Sequence, residues 1–215
     1  MKMVFIRHGT THLNQQGIFC GESVDPPLSV DGATELRSLV SDHPYPGVDR
    51  VFSSPSLRCR MTAQIIYPQH SLTIIDNLRE MAFGEYDGKL STDVHQTPHW
   101  QLREQQGELF TMPGGESYRQ VSQRMISAIE EILQEANGCS QIAVVTHSLA
   151  IMWLFKSTLT VPLTRTESFC PNGMGYLTEL NPHDWTNNHK IIYLGPLPEG
   201  AKRPDMSQSP YMGKK

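Results

Sequence analysis

The run Ile142-Ala143-Val144-Val145 is apolar at every position. A strand with no polar face has to be covered on both sides, as a central strand of a parallel sheet is. Parallel neighbours need crossover connections, so this run constrains most of what surrounds it. The chain supplies them. Met3-Val4-Phe5-Ile6 is a second buried-strand pattern, and Arg50–Ser53 and Leu72–Ile75 are shorter ones. Ser29 caps a predicted helix with Val30, Ala33, Leu36 and Val40 on one side, and Ser54-Pro55 starts another through Leu57, Met61 and Ile65. Ser117 and Gln120 form a capping box before the stripe Val121, Met125, Ile129, Ile132, Leu133 and Ala136. A last helix is predicted from Leu149 to about Thr158, and later strands at Gly175–Leu180 and Lys190–Leu194. The fold class is α/β, a three-layer sandwich with a largely parallel central sheet and helices on both faces.

At 215 residues the chain fits a single domain over 1–195, followed by an irregular Pro- and Gly-rich tail, 196–215. Between 81 and 113 the patterns weaken around Gly84, Gly88, Pro98 and Gly107, which marks an insertion over one face. The net charge of −4 comes without a basic run, so nucleic acid is not expected as a partner. No apolar stretch approaches the roughly 20 residues that span a bilayer, so no membrane partner is expected. The first apolar run is cut by Arg7 and His8 within one strand length, unlike a signal peptide. Cys20, Cys59, Cys139 and Cys170 lack CxxC spacing and are expected as reduced thiols of a cytoplasmic protein.

Polar residues recur where strands end. The first strand ends on Arg7-His8, the second feeds a helix with Arg58 in its first turn, the third leads to Glu80, and the fourth ends on His147. In a parallel sheet these ends share one edge, where α/β proteins bind ligands. One such residue is ordinarily a solvated or structural group; recurrence at four successive junctions is not explained that way. Two guanidiniums suit the oxygens of a phosphoryl group. A neutral imidazole is a nucleophile towards phosphorus near pH 7, a second can donate to the phosphoryl oxygens, and Asn14 adds a neutral donor. Glu80 can supply the leaving-group proton. With no acidic or Cys/His metal spacing, no metal and no cofactor are expected. The chemistry this set implies is metal-independent phosphoryl transfer through a phosphohistidine, with the 81–113 insertion as a small cap over the active site.

Arg7-His8-Gly9-Thr10 with Asn14 resembles the RHG signature of the histidine phosphatase superfamily, which includes the cofactor-dependent phosphoglycerate mutases. The resemblance continues in order through Pro27-Leu28-Ser29 and Gly32, Ser53-Ser54-Pro55 with Arg58 and Thr62-Ala63, and Leu78-Arg79-Glu80 with Phe83-Gly84. It ends with Pro113-Gly114-Gly115-Glu116-Ser117 and Val145-Thr146-His147. It implies His8 as the phosphorylated nucleophile and Glu80 as the proton donor, with Arg7, Asn14, Arg58 and His147 around the phosphate. There are departures. Ile18 and Cys20 stand where many members have Arg and Gln, the Gly21–Asp25 spacing is one residue longer than the family's, and Ser148 replaces a frequent Gly.

The expected substrate is a small-molecule phosphate monoester. A mutase needs further cations in the cap, and Lys89 to Met112 offers only Lys89 and Arg103, so hydrolysis is the expected outcome. The alternatives are a mutase and a catalytically weak binding relative. A serine hydrolase built on Ser148, Asp184 and His189 would leave Arg7, His8, Arg58 and Glu80 unexplained, and β-branched Thr146 does not suit a strained nucleophile elbow.

Overall fold

Six strands form one sheet: β1 (Lys2–Arg7), β2 (Arg50–Ser53), β3 (Leu72–Ile74), β4 (Gln141–Thr146), β5 (Gly175–Glu179) and β6 (Ile192–Leu197). The computed structural model describes residues 1–206 and 209–211. The spatial order is β3-β2-β4-β1-β5-β6. The first four strands are mutually parallel, and β5 and β6 close one edge in antiparallel pairing.

Side-chain alternation splits the core between the two faces of the sheet. Met3, Phe5, Phe52, Ile142 and Val144 pack on one face, against Val121, Met125, Ile129 and Ile132 of the Tyr118–Glu135 helix and Ile151 and Leu154 of the Ser148–Thr158 helix. Val4, Ile6, Val51, Ala143 and Val145 pack on the other, against Ala33 and Leu36 of the Val30–Asp42 helix and Cys59, Ala63 and Ile66 of the Leu57–Ile66 helix. All ten strand residues are fully buried. Burial of the larger among them contributes about 2 kcal/mol each before the entropy cost of ordering the chain. The predicted caps form: Ser29 Oγ accepts from Gly32 N–H at 3.0 Å, and the Ser117/Gln120 capping box closes.

Two boundaries differ from those predicted. Ser54-Pro55 does not cap the second helix, which begins at Leu57; the Ser54 hydroxyl lies 2.9 Å from His147 Nε2 instead. The Leu57 N–H donates to the Asp25 carboxylate, at 2.8 and 3.0 Å to its two oxygens, so the preceding loop caps this helix. Strand β6 starts at Ile192 and runs to Leu197, through Pro196. Proline has no N–H to contribute to a ladder, and an edge strand tolerates that. Beyond it, Arg203 donates to the Gly175 carbonyl and the Tyr211 hydroxyl to that of Ile18, both at 3.0 Å. The remainder of the expected tail, 207–208 and 212–215, lies outside the described residues.

The 81–113 insertion consists of short helical turns around Trp100, which is buried. His95 stacks on that indole at 5.0 Å, and Phe110 and Phe19 meet it at 5.9 and 5.5 Å. All four cysteines are free. Among the described residues no helix is long and apolar enough to cross a membrane.

Candidate active site

Strands β1 and β4 are paired in register, Arg7 opposite Thr146, so the residues that follow them, His8 and His147, are neighbours with ring centroids 5.3 Å apart. The His8 N–H still donates to the Thr146 carbonyl at 3.0 Å, extending the ladder one step beyond the strands. β2 delivers Arg58 in the first turn of the Leu57–Ile66 helix, and β3 leads through the turn Asp76–Leu78 to Glu80. The four strand ends thus converge, with the Arg58 charge acting on His8, His147 and Glu80 alike. Arg7, His8, Arg58, Glu80 and His147 are all buried, and Asn14 is partly exposed beside them.

Burial pushes the His8 pKa well below the usual imidazole range, and the Arg58 and Arg7 guanidiniums push it the same way. A neutral ring carries one N–H, and Nδ1 lies 2.7 Å from the Gly9 carbonyl, which can only accept. The proton is therefore assigned to Nδ1, leaving the Nε2 lone pair unprotonated. His147 is held neutral by the same two influences, burial first and Arg58 second. Its Nε2 faces the Ser54 hydroxyl, with Cys59 Sγ at 3.4 Å.

The guanidiniums are anchored mainly by carbonyls. Arg7 donates to the Cys170 carbonyl at 2.8 Å and lies over the Phe169 ring. Arg58 donates to the carbonyls of Val24, Cys20 and Gly21, with Asp25 at 3.2 Å. Among the described residues Arg7 pairs with no carboxylate, and Nε of both arginines is buried without a partner. Glu80, which feels both arginines, has its pKa raised by burial despite them and the Met81 N–H. Its Oε1 accepts from Met81 N–H at 3.0 Å and Ala150 N–H at 3.2 Å, while Oε2 has only Leu149 N–H at 3.5 Å. Oε2 is therefore the less tightly held oxygen of the two. The result is a buried, cation-rich cluster in which each guanidinium keeps its Nε–H unpaired among the described residues.

Several residues that hold this arrangement were given no function from the sequence, although Thr62, Gly115 and Glu116 belong to the motifs that carry the resemblance. Thr62 Oγ1 accepts from Gly9 N–H at 2.9 Å and donates to the Arg58 carbonyl at 2.7 Å, tying the turn after β1 to the arginine helix. Thr62 lies one helical turn beyond Arg58, a spacing that could have indicated the link. Asn172 Nδ2 donates to His8 O at 3.1 Å and Asn14 Oδ1 at 3.2 Å, from 158 residues away in sequence and with no local signal. Asn14 Oδ1 also accepts from Thr11 N–H, and the Asn14 side chain hydrogen-bonds Tyr211. Arg124 pairs with Glu116 at 2.8 Å and donates to the carbonyls of Asn77 and Arg79; Glu116 in turn accepts from Ala82 N–H. That clamp fixes both sides of Glu80. Gly115 is required beside it, since a Cβ there would lie 2.2 Å from the Ala82 carbonyl oxygen.

Arg7, His8, Asn14 and Glu80 open into a cavity of about 510 Å³, walled further out by Phe19, Trp100, Trp153 and Phe169. Arg103 and Lys156 also line it, each lying over a tryptophan ring. Asp184 and His189 are elsewhere: Asp184 accepts from Asn181, and His189 faces Glu130 at 3.6 Å. Among the described residues no group of three or more His, Cys, Asp or Glu side chains is placed to hold a metal ion.

The chain shares 29% identity over 166 residues with "Probable phosphoglycerate mutase GpmB" of Serratia proteamaculans, 75% of this chain and 76% of that protein. It shares 27% over 177 residues with phosphoserine phosphatase 1 of Hydrogenobacter thermophilus, 80% of this chain and 83% of that protein. The crystal structure of a phosphoglycerate mutase from Thermus thermophilus superimposes with a TM-score of 0.67 at 26% identity, covering 92% of this chain and 98% of that one. The alpha-ribazole phosphatase of Shigella flexneri shares the fold, with a TM-score of 0.69 at 23% identity over 94% of this chain and all of that one. The sequence model of the histidine phosphatase superfamily (branch 1) matches residues 3–191, and the chain belongs to that superfamily.

Proposed function

We propose that the protein is a metal-independent phosphomonoester hydrolase acting on a small phosphorylated metabolite through a phosphohistidine on His8. The observation that carries this reading is the neutral His8 ring, its Nδ1 fixed on the Gly9 carbonyl at 2.7 Å, beside two buried guanidiniums with unspent donors. In the first half-reaction Nε2 attacks phosphorus, the P–O ester bond breaks, and the proton on Glu80 passes to the departing alkoxide. Arg7, Arg58, His147 and the Asn14 amide hold the phosphoryl oxygens as charge builds on them. In the second, Glu80, now a carboxylate, takes a proton from water as the water attacks the phosphohistidine. Inorganic phosphate leaves, and His8 and Glu80 return to their starting states. Hydrolysis is favoured over mutase chemistry because the further cations on the cavity wall lie on indole rings, and Arg103 also has Glu104 at 3.5 Å. A mutase has to retain a second anionic group near the phosphohistidine, and paired cations would serve that better.

The test is a rapid quench into alkali, because phosphoramidates hydrolyse in acid. Labelled phosphate should map to His8 and vanish in His8→Ala along with turnover, while His147→Ala slows turnover and retains some label. Activity should survive excess EDTA. Label on His147, or near wild-type turnover in His8→Ala, would overturn the mechanism.

A further inference from the structure

Ser148 is the first residue of the Ser148–Thr158 helix, at the position where Gly is frequent in the resembling family. It is 4% exposed, and its hydroxyl has no hydrogen-bond partner among the described residues. A serine there ordinarily turns back to a nearby backbone group; this one does not, and an unpaired buried hydroxyl is a standing cost. Yet Ser148 lines the same cavity as His8 and Glu80. Its position relative to the chemistry is fixed by the next two residues, whose N–H groups reach the Glu80 carboxyl at 3.5 and 3.2 Å. If the bridging ester oxygen meets Glu80 as in the mechanism proposed above, the carbons behind it face the cavity wall that Ser148 lines. Leu149 and Met152, the neighbouring wall residues, offer those carbons no polar contact.

We propose that Ser148 Oγ is a specificity-determining substrate contact. On rotation about its side-chain bond it exchanges a hydrogen bond with a hydroxyl on the carbon next to the phosphorylated one, so that the site prefers phosphomonoesters of polyols over those of simple alcohols. The inference rests on the hydrolase reading above. An alcohol lacking the vicinal hydroxyl leaves Ser148 unpaired in a closed wall, and a polar site discriminates most strongly against that analogue.

The experiment compares 2-hydroxyethyl phosphate with ethyl phosphate in the wild type and in Ser148→Ala, with nitrophenyl phosphate as a reporter of hydrolysis. The wild type should favour the hydroxyethyl ester in kcat/KM by roughly three- to tenfold, the worth of one net hydrogen bond. Ser148→Ala should bring that ratio close to about one, apart from the small difference in leaving-alcohol acidity, which the variant itself measures. A purely structural role, or a bond from Ser148 to Glu80, would lower both substrates together, leave the ratio intact and overturn the assignment. Nitrophenyl phosphate hydrolysed with an unchanged ratio sinks the Ser148 role alone. No release from any of the three esters takes the hydrolase reading down with it.

Discussion

At the scale of single residues, the roles proposed for His8 and Glu80 predict opposite protonation requirements. The nucleophile has to be neutral, and burial and two arginines hold His8 below the ordinary 6.5. Activity should therefore persist as pH falls through 6.5 and decline only further into acid. Glu80 has to be protonated, and burial holds its pKa above the ordinary 4.5. Activity should fall as pH rises through that raised value. The alkaline limb of kcat/KM on an alkyl phosphate should be absent from the residual activity of Glu80→Gln, and a limb unchanged in the variant would assign it to another group. The same variant should lose far more rate on alkyl phosphates than on nitrophenyl phosphate, since a nitrophenolate departs without a proton and an alkoxide does not. Equal losses would make Glu80 a positioning residue.

At the scale of elements, two loops act on the site by fixing helix starts and strand ends. Asp25 caps the Leu57–Ile66 helix through the Leu57 N–H and contacts Arg58 at 3.2 Å. Asp25→Ala should cost about 1 kcal/mol of stability, the value of a lost cap. Because Arg58 loses one of its anchors, KM should also rise several-fold, and the two effects are read from a urea midpoint and a saturation curve. The Glu116–Arg124 pair braces the segment 77–82 from both sides and is largely buried, with side-chain exposures of 16% and 7%. Arg124→Ala should cost about 3 kcal/mol, because it strips a largely buried carboxylate of its bidentate partner and leaves two carbonyls without their donor. Arg124→Lys keeps the charge without the fork and should recover stability better than it recovers kcat on alkyl phosphates. Recovery of both in step would argue against a role in aiming Glu80.

At the scale of the whole molecule, burying two imidazoles beside two guanidiniums costs stability in acid. His8 and His147 are neutral in the fold, whereas an unfolded chain protonates each near 6.5. Below that pH the unfolded state binds more protons, so stability falls as pH falls, by up to about 1.4 kcal/mol per pH unit for each imidazole. Glu80 works the other way, over the interval from its raised pKa down to the ordinary 4.5, because there the folded state holds the extra proton. Urea midpoints at pH 7.5 and 5.5 should show a drop for the wild type and about half that drop for His8→Asn. A wild type equally stable at both would mean that the two rings are not held neutral.

How far the sequence speaks for this molecule depends on how local each constraint is. The apolar run at Ile142–Val145 requires cover on both faces, and the capping residues Ser29 and Ser117 act within one helical turn, so the layers and most helix starts are local properties. The recurrence of Arg7, His8, Arg58, Glu80 and His147 at strand ends is equally legible, because parallel pairing alone sends all four ends to one edge. What pairing alone does not determine is which donor meets which acceptor across the gap. Ser54 reads locally as a helix cap, and only the packing of β2 beside β4 offers it His147 as a partner. Pro196 reads as a break, and only its place on an edge strand lets β6 continue through it. Asn172 reaches His8 and Asn14 from a distant loop, and Arg124 reaches the Glu80 segment from beside the apolar stripe of its helix. These contacts join residues tens to hundreds of positions apart, and their partners are chosen by the three-dimensional closure of the sheet. The convergence of these side chains on one sheet edge was therefore written in residue types and strand order, while the direction of their pKa shifts, their braces and the unpaired Ser148 hydroxyl were decided by tertiary burial.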